Sequence, residues 1–583
     1  MVSSVLALDW FLLFISVDGM SEAGNKRTIV IVGGVAGGAS AATRARRMNE
    51  HAEIILIEKD DHVSFANCGL PYHIGGEIAE RAKLLVATPE FLRKRFRIDV
   101  RVAQEVTEID RERKEVAIQQ RESLESYRLA YDKLILSPGA SPIIPPIPGV
   151  DADNVLTLRN LADMDRIKAY VDSGKLKRAI VVGSGFIGLE MVEQLVRREV
   201  ETALVELQSH VLPMMDPEMT EPIKAELVSH GVELYLGTSV ESITTDENGL
   251  ACGVKLSDGS QLEGDLVILG IGVRSNSQLA VSANLETGRS GAIVTNNLMQ
   301  TSDPDIYAVG DAVEYIYGPT GEPARIAMAG PANRAGRLAG QHAAVDDAEP
   351  MQEVWGTAIV RVFGISAGFT GLTGSLADRL GVESAHATVV AKNHAGYFPG
   401  SEMMTLKLSY SPENGRVLGC QVVGGEGCDK RLDVVATAMH FGGDVRRLAG
   451  VDLAYAPPFG SAKDPVHLAS FVASNALDGI ESFCDAGADL SGRKVLDVRT
   501  LSEVESKPFA GVDSVIHIPV DELRDRIIEL GEPSDGDPWV ITCAVGIRGH
   551  IAARILTQHG FRVQNLSGGA TVRQRAWDSQ QNG

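Results

Sequence analysis

Cysteine is scarce: six residues in 583, at positions 68, 252, 420, 428, 484 and 543. They are too few and too scattered for a disulfide framework, and a reducing, cytoplasmic setting is expected. No C-x-x-C pair or His/Cys cluster has zinc-like spacing, so no metal is expected. Positive charge is also short, with 55 Lys and Arg against 77 Asp and Glu and a net charge of -22. That excludes non-specific nucleic-acid binding, which needs a cationic surplus, and leaves room for a local basic pocket. Long apolar runs are missing. Val5 to Val17 is mostly apolar but is interrupted by Asp9. It falls short of the ~20 residues a bilayer needs. No Lys or Arg precedes it and no small-residue cleavage site follows, so neither a membrane partner nor a signal peptide is expected. Residues 1–25 read as an unstructured extension, or as a mis-set start with Met20 as the first residue.

Hydrophobic content of 44% and charged content of 23% are those of an ordinary globular protein. The length suggests three to four domains at roughly 150 residues each. One internal echo organises the chain. Arg27–Val32 runs into Gly33-Gly34-Val35-Ala36-Gly37-Gly38, and Arg178–Val182 runs into Gly183-Ser184-Gly185-Phe186-Ile187-Gly188. Each is a buried β-run, a glycine turn and a helix-forming stretch. Each is followed by a second apolar strand ending in an acid, Glu58 or Glu206, 25 residues after Gly33 and 23 after Gly183. This is the βαβ dinucleotide fingerprint, twice. The glycines let the backbone approach a pyrophosphate, and the helix N-terminus offers free N–H groups and partial positive charge to that anion. The acid receives ribose hydroxyls. Val35 replaces the middle glycine of the first copy, which alters the closeness of approach. Glu206 suits the free 2′-hydroxyl of NADH, and no Arg follows at Leu207, Gln208 or Ser209 to receive the extra phosphate of NADPH. NADH is therefore expected over NADPH.

From about residue 350 the pattern changes. Alternating runs such as Thr405–Tyr410 and Gly419–Val423 predict an antiparallel sheet, followed by a helix over Arg431 to Phe441. Cys420 and Cys428 lie there and read as buried structural thiols. Residues 477–490 read as a linker. Strands at Val495–Arg499, Val512–Pro519 and Trp539–Cys543, a helix from His550 to His559, and a run at Phe561–Leu566 predict a small domain with a parallel sheet.

Cys68 stands in Ser64-Phe65-Ala66-Asn67-Cys68-Gly69-Leu70-Pro71-Tyr72, ten residues beyond Glu58. It has no neighbouring cysteine, so a redox role requires sulfenic acid or a thiol from outside. Ser64 and Asn67 offer polar contacts. Gly69 precedes an apolar stretch able to open a helix, and a thiol at a helix N-terminus has a lowered pKa.

Taken together, these stretches resemble the flavin- and pyridine-nucleotide-dependent disulfide oxidoreductases. Within them, Ser64–Tyr72 and Gly33–Ala42 resemble the single-cysteine coenzyme A-disulfide reductases, over residues 27 to about 475. The resemblance implies FAD in the first fingerprint (Gly33, Val35, Ala36, Gly38, Glu58) and NADH or NADPH in the second (Gly183, Gly185, Gly188, Glu206). Leu134–Pro142, with Ser137 and Gly139, resembles the return between the two units. Thr301–Asp311 resembles the segment whose final aspartate holds the flavin's ribityl chain. It further implies a homodimer in which Tyr397 and Tyr455 approach Cys68 from the partner subunit, where a phenol can donate to a leaving thiolate or protonate it. Ser40, Arg44, Arg47 and Lys463 would grip coenzyme A, Arg and Lys suiting its phosphates. NADH oxidases and peroxidases of the same superfamily typically carry a histidine in the first glycine loop. Here that position is Ala36, which favours a disulfide or persulfide substrate over oxygen or peroxide.

Cys543-Ala544-Val545-Gly546-Ile547-Arg548-Gly549-His550 lies between a buried strand and a helix, where loop N–H groups can cradle a thiolate and Arg548 adds a full charge. With Asp497-Val498-Arg499, Ile518-Pro519 and Gly568-Gly569, it resembles the rhodanese active loop, over roughly residues 490 to 578. That implies a persulfide-carrying Cys543.

The expected fold is thus α/β. It has two nested Rossmann-like domains, for FAD (26–150 and 275–345) and NAD(P)H (151–274). An α+β dimerisation domain (346–476), the linker (477–490) and a rhodanese domain (491–580) follow. The expected activity is NADH-dependent reduction of small-molecule disulfides, persulfides or polysulfides, with Cys543 relaying sulfur through a small thiol or a swinging domain. An NADH oxidase or peroxidase and a sulfur sensor are the alternatives.

Overall fold

The structure is a computed structural model that describes residues 26–512 and 514–581. The expectation for residues 1–25 lies outside the described residues. Both fingerprint strands are central in five-stranded, all-parallel sheets. The first runs Ile306–Ala308, Lys133–Leu136, Thr28–Val32, Glu53–Ile57, Asp99–Arg101. The second runs Glu233–Leu236, Glu201–Glu206, Arg178–Val182, Leu266–Leu269, Val155–Leu156. Their apolar runs lack alternation because both faces are covered: helices pack on one, and a three-stranded antiparallel sheet, carrying Val116 and Ile118 in the first unit and Val254 and Leu256 in the second, packs on the other. Ile29, Val30, Ile31, Ile180 and Val181 are all inaccessible to solvent.

The expected antiparallel sheet is present, in the order Ala358–Val362, Ile365–Gly371, Val417–Gly424, Met403–Tyr410, Ala385–Lys392. Its alternation does not mark a wet face. Thr405, Lys407 and Ser409 are all buried. The Lys407 ammonium sits 2.8 Å from Asp216 Oδ2 and 2.6 Å from Glu218 Oε1, both brought by the helix Pro217–Ser229 and the residue before it. Asp216 also accepts from Gly374 N at 3.1 Å, Ser375 N at 2.8 Å and Gln421 Nε2 at 2.6 Å. A buried ion cluster of this kind is tolerated only when every charge is paired. It locks the second nucleotide-binding unit to the antiparallel sheet.

The C-terminal strands form a parallel sheet in the order Phe483–Cys484, Val563–Leu566, Trp539–Thr542, Val495–Asp497, Val515–His517. Its first strand lies inside the stretch read as a linker, where Cys484 and Leu490 are buried. The region does not hang freely. Thr388 N donates to Ser567 Oγ at 3.1 Å, Arg575 Nη1 donates to Thr405 Oγ1 at 2.8 Å, and Val545 and Val572 pack on Val390. These contacts replace the swinging domain with a docked one. Among the described residues no helix is long and apolar enough to cross a membrane.

Removing the ammonium would strand the buried Asp216 carboxylate and the half-buried Glu218 carboxylate. Lys407→Met should therefore lose about 3–5 kcal/mol of stability at neutral pH in equilibrium denaturation. The double variant Lys407→Met/Asp216→Asn should recover part of the loss. An unchanged midpoint in the single variant would show that the cluster is not what holds the junction.

Candidate functional site

The two glycine turns are built alike. Gly33 and Gly183 take φ of 92° and 97°, the left-handed region that side chains resist. A Cβ on Gly38 would overlap the Gly33 carbonyl oxygen, and one on Gly188 the Gly183 carbonyl oxygen. The turns therefore close directly onto the helices Ala36–Met48 and Phe186–Arg197, whose N-cap residues, Val35 and Gly185, make no side-chain cap hydrogen bond. The helix N-termini are left to an outside anion. At Gly185 a Cβ would meet no heavy atom within 4 Å, an open cradle on the turn's outer side. Val35 packs its side chain against the cluster containing Phe65 and Leu70.

Each second-strand acid braces its turn. Glu58 Oε2 accepts from Gly34 N at 2.7 Å and Oε1 from Asp60 N at 3.0 Å. Burial pushes the Glu58 pKa up against those hydrogen bonds. Glu206 Oε2 accepts from Ser184 N and Oγ, both at 2.7 Å, and Oε1 from Gln208 N at 2.9 Å. Lone pairs remain on each carboxylate for ribose hydroxyls. These observations fit a dinucleotide at each turn.

Ser64 sets the corner that leads into the Cys68 segment, with φ of 49°, rare for a non-glycine. Its N–H donates to Gly34 O at 2.8 Å, tying the Cys68 segment to the first turn. Cys68 follows in the short 3-10 turn Asn67–Gly69 and is exposed. Beside it, Asn67 Nδ2 donates to Arg159 O at 3.5 Å. Arg159 Nη2 lies 3.6 Å from Asp311 Oδ2. Ser137 N donates to Val32 O at 2.7 Å, and Gly139, at φ of 69°, leaves the space that Arg159 Nη2 occupies. The structure thus gathers Cys68, Asn67, Ser137, Gly139 and Asp311 at one end of the first sheet.

The expected low thiol pKa is not found. Desolvation, then the Glu190 and Asp311 carboxylates, push the Cys68 thiol up; a backbone hydrogen bond and Arg159 only partly oppose them. The helix that follows, Leu70–Ile74, is too short to offset them. Sequence reasoning missed three residues here. Arg159 carried no motif. Tyr72 ended the quoted stretch without a role, and Glu190, two residues beyond Gly188, went unread. Tyr72 Oη donates to Glu190 Oε1 at 3.1 Å.

The arginine set divides. Ser40 and Arg47 line a cavity of about 310 Å³ with Thr43, Asn333, Arg334 and Arg337, the last three from the helix Ala329–Val345. Ser40 Oγ donates to Asn333 Oδ1 at 2.6 Å. Arg44 instead turns to Gln341, its Nε donating to Oε1 at 3.0 Å. Tyr397 and Tyr455 meet, hydroxyl to hydroxyl, at 3.2 Å on an exposed surface. Their segments are anchored from behind by buried Arg431, which donates to Asn393 O at 2.6 Å and pairs with Asp464 at 2.8 Å, next to exposed Lys463.

Cys543 is buried in the turn between the strand Trp539–Thr542 and the helix Ile547–Gln558. Gly546 N donates to its Sγ at 3.1 Å. Arg548 faces this sulfur but does not bring an unshared charge. It forms a bidentate pair with Glu503, at 2.8 and 2.7 Å, which holds the Glu503 carboxyl down to about 2. No cluster of metal-ligating side chains occurs among the described residues.

Residues 27–347 match the family model for Pyridine nucleotide-disulphide oxidoreductase, and residues 357–465 that for the dimerisation domain of the same family. The Coenzyme A disulfide reductase of Staphylococcus aureus (strain JH9) is 34% identical over 445 residues, 76% of this chain and 99% of its own. The solved structure of reduced Bacillus anthracis CoADR-RHD superposes with a TM-score of 0.89 at 43% identity, covering 94% of this chain and 98% of that one. That of a NAD-Dependent Persulfide Reductase from A. fulgidus gives 0.86 at 35%, covering 94% and 99%.

The two glycines of the second turn should separate on mutation. Gly185→Ala has room for its methyl and should keep its thermal midpoint while binding the nicotinamide nucleotide about tenfold more weakly, roughly 1.4 kcal/mol. Gly188→Ala should lose folded protein. Equal thermal losses in both would refute the open cradle.

Proposed function

The chain belongs to the pyridine nucleotide-disulphide oxidoreductase family, and from that premise we propose that it is an NAD(H)-dependent flavoprotein that reduces the S–S bonds of coenzyme A disulfide and of persulfides at Cys68. The observation that carries this reading is the solitary, exposed Cys68 beside the first nucleotide turn, with all six cysteines unpaired. A cysteine without a partner thiol must take its second sulfur from the substrate. The names of the relatives, with coverage of nearly their whole length, support the same acceptors.

FAD, when bound at Gly33–Gly38 with Glu58, Ser137, Gly139 and Asp311, supplies two-electron transfer from NADH, held at Gly183–Gly188 with Glu206, to a disulfide sulfur. The remaining steps belong to the chain's own residues. The Cys68 thiolate attacks one substrate sulfur, the substrate S–S bond breaks, and the second sulfur leaves as a thiolate. No general base is required, only access and a thiolate fraction. Asn67, pinned to Arg159, orients the segment. Ser40, Arg47 and Lys463 hold the phosphates of coenzyme A, with Arg44 steered by Gln341 to the edge of that set. The Tyr397–Tyr455 pair reaches Cys68 of a second copy in a homodimer and donates a hydrogen bond to the leaving thiolate. The balance is NADH + H⁺ + RSSR′ → NAD⁺ + RSH + R′SH, with sulfide as R′SH when the substrate is a persulfide.

Residues 491–580 form a rhodanese domain in this reading, with Cys543 carrying sulfane sulfur and Arg548 beside it. Because the domain is docked on Thr388 and Thr405, a small thiol such as coenzyme A carries sulfur between Cys543 and Cys68. Polysulfide enters by the same route.

Steady-state NADH consumption with coenzyme A disulfide, coenzyme A persulfide, oxygen and peroxide tests the reading. The two sulfur substrates should dominate, and Cys68→Ser should lower their turnover roughly a thousandfold or more. Cys543→Ala should spare coenzyme A disulfide and impair transfer from a bulky persulfide. Turnover sustained by oxygen or peroxide alone, with Cys68→Ser still active on the sulfur substrates, would overturn it.

A further inference from the structure

Glu190 projects from the helix Phe186–Arg197 where that helix leaves the second glycine turn. Among the described residues, the hydrogen bond its carboxylate accepts comes from Tyr72 Oη, at 3.1 Å. Tyr72 lies four residues beyond Cys68, on the helix Leu70–Ile74. The Glu190–Tyr72 pair thus joins the nicotinamide-side turn to the cysteine-bearing segment. The nearest cation does not neutralise Glu190. Arg361, whose guanidinium lies 5.4 Å from the centre of the Tyr72 ring, pairs instead with Glu77 and, at 2.8 Å, with Glu193. Arg197 adds a second cation to Glu193, at 2.9 Å. Glu190 is left with a phenol, a neighbouring carboxylate and little water.

The electrostatics agree with that geometry. Burial, and then Glu193, push the Glu190 carboxyl up to about 7, against the Tyr72 hydrogen bond and Arg361. Burial and Glu190 together push the Tyr72 phenol up, so it stays a donor. Glu190 also stands among the groups that raise the Cys68 thiol, ahead of Asp311 and against Arg159. A Glu190 carboxylate and a Cys68 thiolate therefore disfavour each other, and a protonated Glu190 favours the thiolate.

We propose that Glu190, bridged by Tyr72, is the proton-holding residue of the S–S reduction. The inference rests on the function proposed above. Hydride from NADH carries two electrons and one proton, and two thiols are formed, so one further proton must enter in each turnover. Glu190 holds that proton while Cys68 is the attacking thiolate. It releases the proton toward the sulfur site through the Tyr72 hydroxyl as the substrate S–S bond breaks, and it regains one from solvent. The sign follows: Glu190 must be protonated to act, so turnover falls as pH rises through its pKa.

The test uses the flavin-loaded enzyme and two readouts. Alkylation of Cys68 by iodoacetamide, followed by mass spectrometry across pH, should shift in Glu190→Gln toward lower pH relative to wild type, because the repelling carboxylate is gone. The pH profile of kcat with coenzyme A disulfide should lose its fall near neutrality in Glu190→Gln, with kcat roughly a hundredfold lower at the acid plateau. Tyr72→Phe should lower kcat while keeping the fall. Glu190→Gln preserves size and can still accept from Tyr72, so folding is expected to survive. A raised KM for NADH with the pH profile of kcat intact would assign Glu190 to nucleotide binding and overturn the proposal. An unmoved alkylation profile would do the same. If wild type reduces neither sulfur substrate, the proposed function fails, and the alkylation profile still decides whether Glu190 and Cys68 are coupled.

Discussion

Both nucleotide turns rest on one steric fact: a carbonyl oxygen occupies the space that a side chain would need. Gly38 sits on the Gly33 oxygen and Gly188 on the Gly183 oxygen. That contact draws each helix onto its strand and aims a bare N-terminus outward. Glu58 and Glu206 then brace the turns from the adjacent strand by accepting from the N–H groups of Gly34 and Ser184. The Cys68 segment inherits the same constraint, since Ser64 donates to the carbonyl of Gly34. A thiol meant to meet a flavin and a foreign sulfur is thereby fixed relative to the first turn by a backbone bond one residue from fingerprint Gly33.

The two parallel sheets were legible because fully buried strands read as unbroken apolar runs with glycine at their ends. The antiparallel sheet was legible in its pairing but not in its surroundings. Lys407 in an alternating run reads as a solvated face; only the fold brings Asp216 and Glu218 against it. The two-residue strand Phe483–Cys484 was too short to carry a period. At the site, Cys68, Asp311 and both fingerprint acids stood out because local motifs surround them. Arg159, Tyr72 and Glu190 did not, since their roles come from pairings across 92 and 118 residues of chain. The direction of the Cys68 shift was out of reach for the same reason. A helix start can be read from sequence, whereas desolvation and two distant carboxylates cannot.

Charge is handled alike around Cys68 and Cys543: cations are present, but each is shared. Arg159 is divided between the Asn67 segment and Asp311, Arg361 between Glu77 and Glu193, and Arg548 between Glu503 and the Cys543 loop.

The contact between Thr388 and Ser567 has a consequence outside chemistry. Ala385–Lys392 is the outermost strand of its sheet, and an outermost strand offers a row of unpaired amides to any other extended chain. Here one of those amides is taken by a hydroxyl from the C-terminal region, and Val390 beneath it is covered by Val545 and Val572. The region that holds Cys543 thus also serves as a guard against intermolecular strand addition. A chain shortened before residue 480 would lose Cys543 and also lay bare a sticky margin, so its first symptom would be aggregation.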